Sequence, residues 1–245
     1  LEILKILKKY DAKATFFVIG TAKLEYLPKI QKAGHAIGLH SNTHEYNQIY
    51  KSTTAFFKDL NKLSAKVEKQ IGEKVTIMRF PGGSNNTISR NYRKGIMTSL
   101  VTKVKTKGYA YFDWNVDSGD ASGHNVPASK IKKNVLKQAE NKKSICVLMH
   151  DTAAKGTTVK ALPGILEGLK KQGYKYDQLI KNEWIEPILK KYKFLSYDDL
   201  LNVIGFGDIS AQKIVNILRE EYVKSISGSK EEELLAKMES NKNKK

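Results

Sequence analysis

Residues 36–44 read Ala-Ile-Gly-Leu-His-Ser-Asn-Thr-His, and this stretch decides the fold. Positions 36–39 are apolar without alternation, so neither face is meant for water. A strand of that kind is covered on both sides, as in a parallel α/β sheet. It runs directly into a polar segment that begins and ends with histidine. In parallel α/β folds, chemistry collects at the carboxyl ends of the strands. The question is whether neighbouring segments repeat the pattern.

They do. Residues 14–20 (ATFFVIG), 75–79 (VTIMR), 109–116 (YAYFDWNV) and 144–150 (SICVLMH) are short runs rich in β formers. Between them, helical spacing of apolar residues covers 22–32, 54–70, 98–107 and 128–141, with 159–172 after the last strand. A first helix over residues 1–10 precedes the whole series. A β-α unit repeated five times implies a parallel α/β sheet or barrel. Beyond residue 179 the alternation stops. Residues 184–192, 197–204, 211–223 and 231–239 read as helices, and 241–245 as a disordered charged tail.

Composition bounds the function. The 245 residues carry 43 Lys+Arg against 25 Asp+Glu, a net charge of +18. No apolar run approaches the ~20 residues a helical bilayer crossing needs. The single cysteine, Cys146, excludes an internal disulfide framework and a cysteine-based zinc site. There is no basic-apolar leader, and the chain opens at Leu1 within a helix, which reads as a fragment or cut-out domain. Residues 1–176 hold 31 Lys+Arg and 13 Asp+Glu, whereas 177–245 hold 12 of each. All five histidines precede Tyr176. The expected division is a domain over 1–176, a helical segment over 177–240 and the tail. So basic a surface points to an anionic partner. The lysines are scattered, without aromatic interleaving or a groove-reading motif, so specific nucleic-acid binding is not expected. An anionic polymer such as a cell wall fits, as does a general lysine bias in composition.

The strand ends hold the candidate chemistry. They read His40-Ser41-Asn42-Thr43-His44, Arg79-Phe80-Pro81-Gly82-Gly83, Asp113-Trp114-Asn115-Val116-Asp117-Ser118-Gly119-Asp120 and His150-Asp151. If the chain turns helical after the second strand, His40 and His44 face one way and can share a metal; otherwise they belong to a polar loop. His150 can serve as a general acid or base, since free imidazole titrates near neutrality, or as a structural histidine. Arg79 can pair with a carboxylate through its planar fork or form a plain surface ion pair. Asp117 or Asp120 can hold His150 in one tautomer, or serve as a turn residue beside Gly119.

These residues carry a resemblance. HSNTH (40–44), RFPGG (79–83), WNVD (114–117) and LMH (148–150) resemble, in order, the H-[ST]-x-x-H, R-x-P-x-G, W-x-x-D and L-x-H motifs of NodB-like polysaccharide deacetylases, carbohydrate esterase family four. The similarity covers about residues 1–173. It implies a deformed (β/α) barrel and a divalent metal, often zinc, held by one aspartate and two histidines. His40 and His44 map onto those histidines. The resemblance makes His150 the general acid for the departing amine and Asp117 its electrostatic support. It makes Arg79 the residue that orients a catalytic-base carboxylate. Trp114 and Leu148 would line the acetyl pocket, while Pro81 and Gly82 contact substrate, with a backbone N–H near Gly82 facing the oxyanion. Gly82 stands where the family often has an aromatic, and Ala121 follows Asp120 where it usually has Trp.

The family's first motif, T-F-D-D-G, would fall before Leu1. It supplies the catalytic base and the third metal ligand, so this chain is expected to be a barrel without its first strand, with two open sheet edges, and nearly inactive. The implied substrate is an N-acetylglucosamine polymer, peptidoglycan or chitin-like, and the implied place is the cell wall or outside the cell. Residues 182–222 resemble instead the helical region after the TGS domain of Rel-type (p)ppGpp synthetase/hydrolases, a cytosolic family, without its catalytic motifs. Three readings follow: a metal-dependent glycan deacetylase, a degenerate wall-binding module, or a stringent-response regulator acting through residues 177–245.

Overall fold

The computed structural model describes residues 1–179. The expected helices from residue 184 onward, the charged tail and the whole Rel-like stretch over 182–222 lie outside them.

Four strands form one parallel sheet in spatial order: β1 (Thr15–Ile19), β2 (Ala36–Ser41), β3 (Ile77–Met78) and β4 (Ala110–Tyr111). β5 (Val116–Asp117) and β6 (Val147–Leu148) pair parallel in a second, two-stranded sheet. Among the described residues no ladder joins the two sheets, and the barrel is open there. Among the described residues β1 lies at one edge with only β2 beside it. The helices are α1 (Glu2–Lys9), α2 (Leu27–Lys32), α3 (Tyr46–Ile49), α4 (Thr53–Ile71), α5 (Ile96–Thr106), α6 (Ala128–Ala139) and α7 (Gly156–Lys171).

The β-α alternation expected from the sequence is present, but the boundaries move for physical reasons. The helix expected over 22–32 begins as a 3-10 turn at Leu24–Tyr26, and Pro28 sits in the first turn of α2, where its missing N–H costs nothing. The strand expected over 109–116 splits into β4 and β5, because the carbonyls of Phe112 and Asp113 accept from the Arg79 guanidinium instead of a neighbouring strand. α4 is fixed at both ends: Ser52 accepts a hydrogen bond from the Ala55 N–H, and Gly72 closes it in the left-handed conformation. Its Phe56, Leu60, Leu63 and Val67 are buried at helical spacing against β2 and β3 residues such as Leu39 and Met78. α6 and α7 form a separate core with β5, through Val116, Ile131, Val135 and Ile165. α1 packs on α7 through Leu7, Leu162 and Leu166.

Candidate active site

Parallel pairing sends the carboxyl ends of β2, β3 and β4 to one side of their sheet, and each end carries a residue singled out above. His40 lies at the end of β2. Its Nδ1 is 2.7 Å from the Arg79 carbonyl oxygen, which only accepts. Nδ1 therefore holds the proton, and Nε2 keeps its lone pair. Burial pulls the His40 pKa down to about 4, against that hydrogen bond, with His44, Arg79 and His150 lowering it further. Burial also lowers His44, helped by His150. Both rings are thus neutral, the form that binds metals.

The two ring centroids are 5.0 Å apart. The structure corrects the expected route to this pairing. Residues 42–45 are not helical; His44 takes a left-handed backbone, φ 60°. Asp59 of α4 holds this turn. Its carboxylate accepts from Ser41 Oγ (2.7 Å), the Asn42 N–H (2.7 Å), the Thr43 N–H (3.0 Å) and Thr43 Oγ1 (2.8 Å). Two neutral imidazoles, with His40 Nε2 free, fit two positions around a divalent ion. Among the described residues no group of three or more His, Cys, Asp or Glu is placed to hold one. The fit is therefore to part of a coordination shell.

Arg79 is buried between Phe17 and Trp114, its guanidinium carbon 4.4 Å and 5.5 Å from their rings. Nε donates to the Phe112 carbonyl at 2.9 Å, and Nη2 to the Asp113 carbonyl at 3.1 Å and Cys146 Sγ at 3.3 Å. Burial lowers its pKa, and it remains a cation. Among the described residues it makes no ion pair with a carboxylate. The surface ion-pair reading of Arg79 is thereby replaced by a buried cation.

The 81–84 loop is pinned beside it. The Pro81 carbonyl accepts from the buried Tyr50 hydroxyl at 2.6 Å, and Asp113 accepts from the Ser84 N–H at 2.9 Å and from its hydroxyl. Gly82 has φ 78°, and a Cβ there would meet the Tyr46 hydroxyl at 3.0 Å. The place of a larger side chain is thus already bordered by Tyr46, which sits 5.6 Å from the His44 ring. Trp114 and Leu148 are both half-buried, Trp114 against Arg79 and Leu148 in β6.

His150 follows β6, and its partner is Asp120. The expected support, Asp117, lies elsewhere: its carboxylate accepts from the Gly119 N–H at 2.8 Å, its backbone is bonded to Gln138, and the residue is exposed. Asp120, 1% exposed, takes the His150 Nδ1 on one oxygen at 2.8 Å. Its other oxygen accepts from the His150 N–H at 2.8 Å and Thr158 Oγ1 at 2.9 Å. Burial pushes the Asp120 carboxyl up, but hydrogen bonds from His150 and Thr158 outweigh it and hold the group below its ordinary value. The ionised acid therefore keeps the proton on Nδ1 and leaves Nε2 to exchange one. The alternative of Asp120 was legible in the sequence. Asp59, Tyr46 and Thr158 carried no motif signal.

The chain is similar to known proteins. The family model described as polysaccharide deacetylase matches residues 1–97. A second, the RelA/SpoT AH domain, matches 167–219, beginning inside α7, upstream of the expected start at 182. A peptidoglycan-N-acetylglucosamine deacetylase of Bacillus cereus is 34% identical over 183 residues, 72% of this chain and 63% of that protein. Another from the same organism is 32% identical, over 71% of this chain and 77% of its own length. The chain spans 63% and 61% of two curated relatives, the second a putative polysaccharide deacetylase of Bacillus subtilis. Among solved structures, the catalytic domain of the peptidoglycan N-acetylglucosamine deacetylase of Eubacterium rectale superposes with a TM-score of 0.70 at 39% identity, covering 73% of this chain and 81% of that one. A CE4 family pseudoenzyme of Bacillus anthracis superposes at 0.56 with 26% identity, covering 73% of this chain and 58% of that one. With the motif residues gathered at the strand ends and relatives of this similarity, the chain belongs to the polysaccharide deacetylase family, whose fold is the NodB-type α/β fold with a parallel sheet.

Proposed function

We propose that this centre removes acetyl groups from an N-acetylglucosamine polymer, peptidoglycan in preference to a chitin-like glycan, at the cell wall. The observation that carries the reading is the His150–Asp120 pair at the end of β6, with Nδ1 held on a buried carboxylate and Nε2 left to exchange a proton. In this reading His150 Nε2 delivers a proton to the departing amine nitrogen, and Asp120 stabilises the charged ring on the opposite nitrogen. Trp114 and Leu148 border the acetyl group. Arg79 offers its buried charge to a carboxylate acting as base, and the Pro81–Gly82 turn presents a backbone N–H to the developing oxyanion. His40 and His44 hold a divalent ion, zinc first. That ion, when bound, supplies the Lewis acid that polarises carbonyl and water. Asp117 takes no chemical part.

Two imidazoles alone bind zinc less firmly than three protein ligands. With only these two donors found among the described residues, turnover is expected to be absent or slow. The test is acetate release from N-acetylglucosamine oligomers and from peptidoglycan. Metal-stimulated release above that of His150→Ala supports the reading, and release no greater than in that variant contradicts it. A second reading, a glycan-binding module without turnover, is favoured by the two-histidine donor set among the described residues and by the likeness to a pseudoenzyme. Retention on peptidoglycan without acetate release would select it. The match at 167–219 includes none of that family's catalytic motifs, and we read it as no part of this chemistry.

A further inference from the structure

We propose that Asp59 is a positioning residue: it sets the separation of the His40 and His44 imidazoles for one shared divalent cation. The inference rests on the reading of those histidines as ligands. Asp59 stands outside the motif, on a different element. α4 is capped by Ser52 and anchored through Phe56, Leu60 and Leu63 in the core, so its carboxylate is held by a rigid support.

The carboxylate organises the whole turn. Its two oxygens take the donors of three consecutive residues, the Ser41 hydroxyl, the Asn42 N–H and both donors of Thr43. Each hydroxyl that donates to Asp59 also accepts from the next part of the turn. Ser41 Oγ accepts from the His44 N–H at 3.0 Å, and Thr43 Oγ1 from the Glu45 N–H at 3.3 Å. Donation to Asp59 turns the hydroxyl hydrogens away, leaving oxygen lone pairs for those amides. His44 is held at φ 60°, a conformation that residues with a Cβ rarely adopt. The turn must therefore be imposed from outside, and Asp59 imposes it. An asparagine has the same shape but can accept on only one of its two terminal atoms. Its amide nitrogen would face donors. Partners of ligating groups commonly carry a 10- to 100-fold effect on metal affinity.

The test is a titration of the full chain with Cu²⁺, the divalent ion that binds imidazole sites most strongly in its series, followed by electron paramagnetic resonance. The wild type should bind one ion with a two-nitrogen signature that is missing from the His40→Ala, His44→Ala double variant. Asp59→Asn should weaken that binding about 10- to 100-fold and replace the two-nitrogen signature with a one-nitrogen one. Asp59→Glu, which keeps all its acceptors, should recover part of the affinity. Val135→Ala, in the separate core under α6, controls for stability and should bind as the wild type does. Wild-type binding in Asp59→Asn overturns this inference alone, as does an equal loss in Val135→Ala. Wild-type binding that survives in the double variant, or no binding at all, overturns the ligand reading and this inference together.

Discussion

Asp120 and Asp117 lie three positions apart and do different things. Asp120 is buried and accepts from the His150 backbone N–H, from His150 Nδ1 and from Thr158 Oγ1. Asp117 closes a turn and faces solvent. The sequence allows either to serve the histidine, because spacing alone does not say which carboxylate points back across the strand end. Geometry decides it, and the consequence is measurable. Asp120→Asn should cost about 1.5–3 kcal/mol, the range for hydrogen bonds to a buried charged group. It should also lower any acetate release by roughly 10²–10⁴-fold, as loss of oriented general-acid chemistry does. Asp117→Asn should change both little. Thermal melts and acetate release on the two variants check this, and equal effects would return the choice to Asp117.

At the level of elements, the continuous apolar runs made the sheet legible. Residues 14–20 and 36–40 became β1 and β2 nearly as read, because both faces are covered and the hydrophobic pattern leaves no other solution. The later strands are shorter than their apolar runs. Residues 109–116 and 144–150 contribute two-residue ladders, since Arg79 and the side chain of Asn115 take backbone groups that a longer strand would use. The His40–His44 spacing identified the right pair through the wrong local geometry. The rings meet across a left-handed turn, not along a helix. Asp59 stayed invisible because its role depends on how α4 is rotated against β2, which no local pattern encodes.

At the scale of the whole molecule, burial of histidine ties stability to acidity. His35 is 6% exposed against the Phe16 ring, with Nδ1 unpartnered, and burial, then the nearby Lys13 charge, lowers its pKa. His40 is lowered from 6.5 to about 4. For both groups the folded pKa lies below the unfolded one, so the unfolded chain binds more protons in between. The His40 contribution is complete above about pH 6.5 and is lost as pH falls towards about 4; that of His35 is lost in the same direction on acidification. The melting temperature should decline across that window, and His35→Phe should flatten part of the slope. A melting temperature that rises on acidification there would contradict the assignment.

The proposed chemistry depends on the His40–His44 pair being a metal site on a polysaccharide deacetylase scaffold. Zinc calorimetry on the 245-residue chain and on its His40→Ala, His44→Ala variant measures that directly. One zinc per chain should bind weakly, with the heat abolished in the variant. Binding of equal strength and stoichiometry in both proteins would contradict it, and would put the metal chemistry somewhere other than the end of β2.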